Sequence, residues 1–205
     1  MPKLRIGIIV GSTRPGRKAE DVARWVHEHA KHRPNAEFEV VDIAQFHLPL
    51  LDEPLPPSMG RYAGAHTKAW AAKVRSFDGF VFVTPEYNHG TSAALKNAID
   101  YLFAEWNDKA AGFVGYGSAG GVRAVENLRV VLAEVKMATV RSQVQLSIFN
   151  DWEDFRVFKP SEARVGQLTR TLDEVVAWSG ALRTVREPAS ESALPAPTAH
   201  AKATA

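Results

Sequence analysis

Five short apolar runs, each followed by a stretch of different character, limit this chain to few architectures. The runs are Leu4–Val10, residues 37–43 (EFEVVDI), 79–85 (GFVFVTP), 110–117 (AAGFVGYG) and 138–146 (ATVRSQVQL). A short, near-continuous apolar run is the mark of a strand covered on both faces. The fifth run alternates more than the others, which predicts an edge strand. After the first run, from Arg17, the period changes: Val22, Trp25, Val26 and Ala30 share one helical face, and the helix stops before Pro34. A polar, Ala-rich helix is predicted over 61–76. Another carries Leu95, Ala98, Ile99, Leu102 and Trp106 inward. A fourth spans 120–137, with Val122, Val125, Leu128, Leu132 and Val135 inward, and a last helix spans 161–182. Strand–helix alternation of this kind gives a parallel sheet with helices on both faces. Residues 48–60 (LPLLDEPLPPSMG) hold too much Pro for a regular element and read as a long surface loop. The tail from Glu187 is Ala, Pro, Ser and Thr, and is expected to be disordered. One domain over 1–186 is therefore expected, as suits a chain of 205 residues.

Composition removes several chemistries. There is no Cys, so disulfides, thiolate metal sites, iron–sulfur clusters and cysteine nucleophiles are excluded. The net charge of +2 comes without a Lys/Arg block, so no nucleic-acid partner is expected. No apolar run is long enough to span a bilayer, and the start lacks a signal peptide's cleavage site, so the expectation is a cytoplasmic protein without a membrane partner. His27, His29 and His32 share one helix, but no acid or Cys completes a metal site there.

In doubly wound sheets, ligands sit beyond the carboxyl ends of the strands. Three polar turns lie at such ends. The first, GSTRPGRK, has neither a Walker ending nor a dinucleotide fingerprint, because Gly7, Gly11 and Gly16 are wrongly spaced. It does place Ser12, Thr13 and Arg14 at a helix N-terminus, which favours a phosphate. The competing reading is a turn whose Ser or Thr merely caps the helix while Arg14 is solvated. Asp42 could imitate a ribose-binding acid, but its spacing from Gly11 is too long. The second turn, TPEYNHGTS, is stiffened by Pro85, and Gly90 permits an unusual backbone angle there. Thr91 or Ser92 is a plausible N-cap, which would hold Glu86, Tyr87, Asn88 and His89 at the ligand edge. The third, GYGSAGGVR, carries four glycines that let backbone approach a flat ligand, and the helix after it points its positive end there. Arg123, alone, reads as solvated. For the second turn a polar surface loop, and for the third a flexible connection, remain open alternatives.

Taken together, GSTR after the first strand, PEYN…LKNAID after the third and GSAGGVRAVENLR after the fourth resemble the NADPH-dependent FMN reductase family. That family includes quinone, azo-dye and chromate reductases, and the resemblance covers roughly residues 3–150. It implies a flavodoxin-like three-layer α/β sandwich with a five-stranded parallel sheet. It implies FMN as cofactor, with Ser12, Thr13 and Arg14 on the phosphate and Arg17 nearby. Pro85, Glu86, Tyr87 and Asn88 would border the flavin ring, and Ser118, Gly120 and Gly121 would approach its pyrimidine side. NADPH or NADH would be the hydride donor and a quinone or similar small molecule the electron acceptor, with no catalytic side chain and no metal. The family resemblance also implies a homodimer, for which Phe149, Trp152 and Phe155 in IFNDWEDFR are interface candidates. The N-terminal end of the helix after the third turn is expected to stabilise the reduced flavin. A competing reading, an FMN electron carrier or regulator without turnover, would favour an acidic chain, and this one is slightly basic.

Overall fold

Strand pairing follows directly from the apolar runs. The computed structural model describes residues 2–186. In chain order, β1 is Leu4–Val10, α1 Ala19–Ala30, β2 Ala36–Asp42, α2 Ala65–Arg75, β3 Gly79–Pro85, α3 Ala93–Asp100, β4 Ala110–Gly117, α4 Val122–Glu134 and β5 Ala138–Ser147. A ribbon of two short strands follows, β6 Trp152–Glu153 and β7 Val157–Phe158, and then α5, Glu162–Arg186. The five long strands pair in parallel in the order β2-β1-β3-β4-β5, the flavodoxin-like order. Ile8 stands between Val40 and Val81, which fixes the register of the first three.

Successive strand residues face opposite sides, so each central strand needs two apolar covers. Ile6, Ile8, Val81 and Val114 pack against α1 and α5 through Val22, Val26, Leu172 and Val175. Ile9, Phe80, Phe82 and Phe113 pack against the other layer through Trp70, Ile99, Leu128 and Leu132. The result is three layers. β5 pairs only with β4 and lies at the edge, as its alternation predicts.

Several boundaries differ from the sequence expectation. β2 ends at Asp42, because its carboxylate caps a 3-10 turn over Ile43–Phe46 by accepting Ala44 N–H at 3.0 Å. The loop over 48–60 holds a second 3-10 turn, Pro57–Met59. α2 starts at Ala65 rather than 61. The Ala63 and Gly64 N–H groups are met instead by the Glu53 carboxylate, at 2.7 and 2.9 Å. α3 stops at Asp100. Leu102 and Trp106 are still fully buried, but in a turn, where Trp106 Nε1 donates to the Ile99 carbonyl at 3.1 Å. α4 begins two residues later than expected and ends three earlier, and α5 runs on to Arg186. The β6–β7 ribbon was not expected at all. The tail from Glu187 lies outside the described residues.

Candidate functional site

The turns after β1, β3 and β4 enclose a cleft of about 390 Å³ where the strand order reverses. Arg14, Arg17 and Lys18 line it from the first turn, Pro85, Glu86 and Tyr87 from the second, and Tyr116, Gly117 and Ser118 from the third. Ile148, just past β5, closes one side.

The first turn is held by its own side chains. Ser12 is buried, and its Oγ shares a hydrogen bond of 3.0 Å with the Tyr87 hydroxyl, which ties the first turn to the second. The N-cap of α1 is Lys18, with no side-chain cap. Neither Ser12 nor Thr13 therefore caps this helix, and the self-capping reading falls. Arg14 is exposed at the cleft, and among the described residues no acid pairs with it. Arg17 differs: its guanidinium donates to the Ser12 carbonyl at 2.6 Å, to Asp42 at 2.5 Å and to Glu20 at 2.8 Å. Arg17 thus clamps the turn to the end of β2. Asp42 is spent on this pair and on its cap. Thr13 faces away from the cleft, into a separate hollow of about 250 Å³ with Ile43, Leu48 and Asn97.

In the second turn, Tyr87 and Gly90 exchange both backbone hydrogen bonds, at 2.9 and 3.1 Å. The two residues between them, Asn88 at φ 46° and His89 at φ 73°, carry the left-handed backbone, so the unusual angles fall there and not on Gly90. Two left-handed central residues are what a type I′ turn requires. Asn88 lies at this tip and does not line the cleft. Ser92 is the N-cap of α3: its Oγ accepts Leu95 N–H at 3.0 Å. The same hydroxyl donates to the Gly11 carbonyl at 2.5 Å, a second tie between the turns.

Glu86 changes the electrostatic picture. Its side chain is 4% exposed, accepts Arg123 N–H at 3.1 Å and is ion-paired with the Arg123 guanidinium. Arg123 Nη1 in turn faces His89 Nδ1 at 3.2 Å. Arg123 is therefore not a merely solvated side chain. One N–H at the positive end of α4, that of Arg123, is already met by the Glu86 carboxylate. In the third turn Ser118 lines the cleft, whereas Gly120 and Gly121 do not. Both are left-handed, and a Cβ on Gly121 would fall 2.4 Å from the Tyr116 nitrogen. The bare Gly121 lets the start of α4 press on β4, while Gly120 lies against Gln145 of β5.

Lys18, Tyr116, Gly117 and Ile148 complete the wall and were not singled out from sequence. The first three lie inside the motifs and were legible by position, while Ile148 had no signal. Burial pushes the Tyr116 hydroxyl far above the ordinary phenol range. Among the described residues no group of His and acidic side chains is arranged to hold a metal.

The sequence model of the NADPH-dependent FMN reductases matches residues 4–151, a span holding all three turns. The chain belongs to this family. Similar proteins include an NAD(P)H-dependent FMN reductase of Schizosaccharomyces pombe, 42% identical over 149 residues, covering 72% of this chain and 74% of that one. A quinone reductase of Escherichia coli is 34% identical over 138 residues, covering 63% and 70%. Among solved structures, FerB of Paracoccus denitrificans, a flavoenzyme NAD(P)H:(acceptor) oxidoreductase, aligns with a TM-score of 0.67 at 22% identity, covering 87% of this chain and 98% of that one. At that identity the likeness shows the fold. Among the described residues of this family member, no helix is long and apolar enough to cross a membrane.

Proposed function

We propose that this FMN reductase family member is an FMN-dependent NAD(P)H oxidoreductase that reduces quinones or similar flat acceptors, with FMN in the cleft of about 390 Å³. The observation that carries the reading is the meeting of all three turns in one cleft at the switch between β1 and β3. The residues present fit the group. Arg14 offers an unpaired, forked cation beside an uncapped helix N-terminus, a donor set suited to a phosphate. At Gly117 a Cβ would stand 3.2 Å from the Glu86 Cβ, so the bare backbone there lets the second and third turns close on each other along the cleft wall.

When bound, FMN supplies the hydride chemistry at N5. The chain supplies position. Arg14 holds the phosphate end, with Ser12 beneath it and Arg17 fixing the turn from behind. Pro85, Glu86 and Tyr87 border the ring, with Ser118 opposite. Thr13, Asn88, Gly120 and Gly121 support the turns rather than line the cleft. Glu86 keeps its charge balanced by Arg123, so the ring meets a neutral pair instead of a bare carboxylate. No side-chain acid, base or nucleophile is needed, because orientation supplies most of the acceleration.

Donor and acceptor would use this one cleft in turn, since the sequence carries no dinucleotide fingerprint that would mark a separate donor site. The enzyme acts as a homodimer, as the family resemblance implies, and its place of action is read as the cytoplasm. Steady-state rates at several acceptor concentrations test the shared cleft. Parallel double-reciprocal lines are expected, and intersecting lines would contradict it.

A further inference from the structure

Of the phenylalanines and tryptophans among the described residues, three stand exposed: Phe149, Phe155 and Trp178. Two of the three touch each other. Phe149 and Phe155 are 61% and 56% exposed, and their rings meet edge to face at 5.8 Å and 82°. Phe149 follows Ile148, which lines the cleft and whose N–H donates to the Gly117 carbonyl at 3.1 Å. The Phe155 carbonyl accepts a hydrogen bond from Lys18 Nζ, and Lys18 lines the cleft from the first turn. The pair is therefore tied to two residues that line the cleft, Lys18 by a hydrogen bond and Ile148 by the chain.

The backbone is shaped to present it. Asp154 and Phe155 have φ of 49° and 56°, at the tip of a turn closed by Arg156 N–H to the Glu153 carbonyl at 2.9 Å. A bulky residue in the left-handed region is strained, and Phe155 stays more than half exposed there. The ribbon carries two acids and two bases, Glu153 and Asp154 against Arg156 and Lys159, with Glu153 3.7 Å from Lys159. Such a surface suits an uncharged flat ring better than an anion.

We infer that the Phe149–Phe155 pair receives the adenine of the nicotinamide cofactor. The inference rests on the oxidoreductase reading above. An acceptor must enter the cleft itself to be reduced. The dinucleotide donor alone has a second aromatic ring that stays outside while its nicotinamide is inside. The cleft holds the flavin, and the phenyl pair is an exposed apolar corner next to its mouth, where one ring can stack on a base and the other close its edge.

The test compares NADPH with reduced nicotinamide mononucleotide, which lacks the adenosine half, in the parent and in a Phe149→Ala/Phe155→Ala double variant. Both side chains are exposed, so the fold should survive. The preference for NADPH over the mononucleotide, as a ratio of kcat/KM values, should fall about tenfold, since stacking of a base on aromatic side chains is typically of that order. The KM for the quinone should not move, and Phe155→Tyr should restore the ratio. Calorimetry of ADP-ribose on the FMN-loaded protein gives a second readout, with binding to the parent and a loss of about tenfold in the variant. An unchanged ratio, an equal loss with both donors, or a raised quinone KM would overturn the assignment. So would conversion of a parent dimer to monomers, which would make the pair an interface between copies. A parent that oxidises neither donor would end the oxidoreductase reading, and the ADP-ribose titration would still decide the adenine site.

Discussion

Replacing Ser92 by Ala removes one hydroxyl that does two things. Its Oγ caps α3 through Leu95 N–H at 3.0 Å, and its proton goes to the Gly11 carbonyl at 2.5 Å. Loss of a Ser N-cap costs about 1 kcal/mol. The Gly11 carbonyl is left without this donor in the interior, since Ser92 is only 3% exposed, and that adds about 1–3 kcal/mol. The sum is about 2–4 kcal/mol, or roughly 5–15 °C in Tm for a domain of this size. Thr91→Ala is the control. It loses only the 2.8 Å contact between the Thr91 and Thr84 hydroxyls, so about 0.5–1.5 kcal/mol is expected. The assay is urea unfolding of the FMN-free protein followed by circular dichroism. Because the lost bond fixes the first turn, Ser92→Ala should also bind FMN more weakly, while Thr91→Ala should not. A Ser92→Ala protein as stable as Thr91→Ala, with unchanged FMN affinity, would refute the idea that this hydroxyl joins the two turns.

Arg14→Ala should weaken FMN binding by about 1.5–3 kcal/mol, roughly 10- to 150-fold, as read by quenching of flavin fluorescence. Glu86→Gln leaves the Arg123 cation unbalanced beside the ring, so the flavin potential should become more positive in a spectroelectrochemical titration; an unchanged or lower potential would count against the paired-charge account. Lys109 is buried at the opposite end of the sheet, with Nζ on the Val74 carbonyl at 2.9 Å, and burial brings its pKa down to about 7. Its folded pKa lies below its unfolded one, so between pH 7 and 10 the unfolded chain holds more protons. Stability should therefore rise with pH across that window, by at most about 1.4 kcal/mol per unit, and Lys109→Met should flatten the rise in unfolding curves.

The central strands were legible because a strand covered on both faces must be apolar almost throughout, and β1 and β3 are, apart from Arg5 and Thr84. The edge position of β5 was legible from its alternation for the same reason. The length of α3 was not. Leu102 and Trp106 continue its apolar spacing, yet they are buried by tertiary contacts after the helix has ended at Asp100. The β6–β7 ribbon has two-residue strands, too short for any period to show, and its turn uses Asp154 and Phe155 where a glycine signal would be sought. At the site, the three turns and their order were readable, as was an N-cap at Thr91 or Ser92, of which the structure takes Ser92. Which side chains face the cleft was not. Arg17 and Arg14 look alike in sequence, and the approach of Asp42, far along the chain, joins Glu20 and the Ser12 carbonyl in committing Arg17 to structure. The Glu86–Arg123 pair joins two turns 37 positions apart and leaves no local trace.

The most direct test of the account is an anaerobic titration of the FMN-loaded protein with NADPH, followed by addition of a quinone. The account predicts that the yellow flavin absorbance disappears at about one equivalent of NADPH and returns when the quinone is added, since hydride chemistry resides in the bound flavin. A protein that takes no FMN, or one whose flavin stays oxidised with both NADPH and NADH, would contradict it.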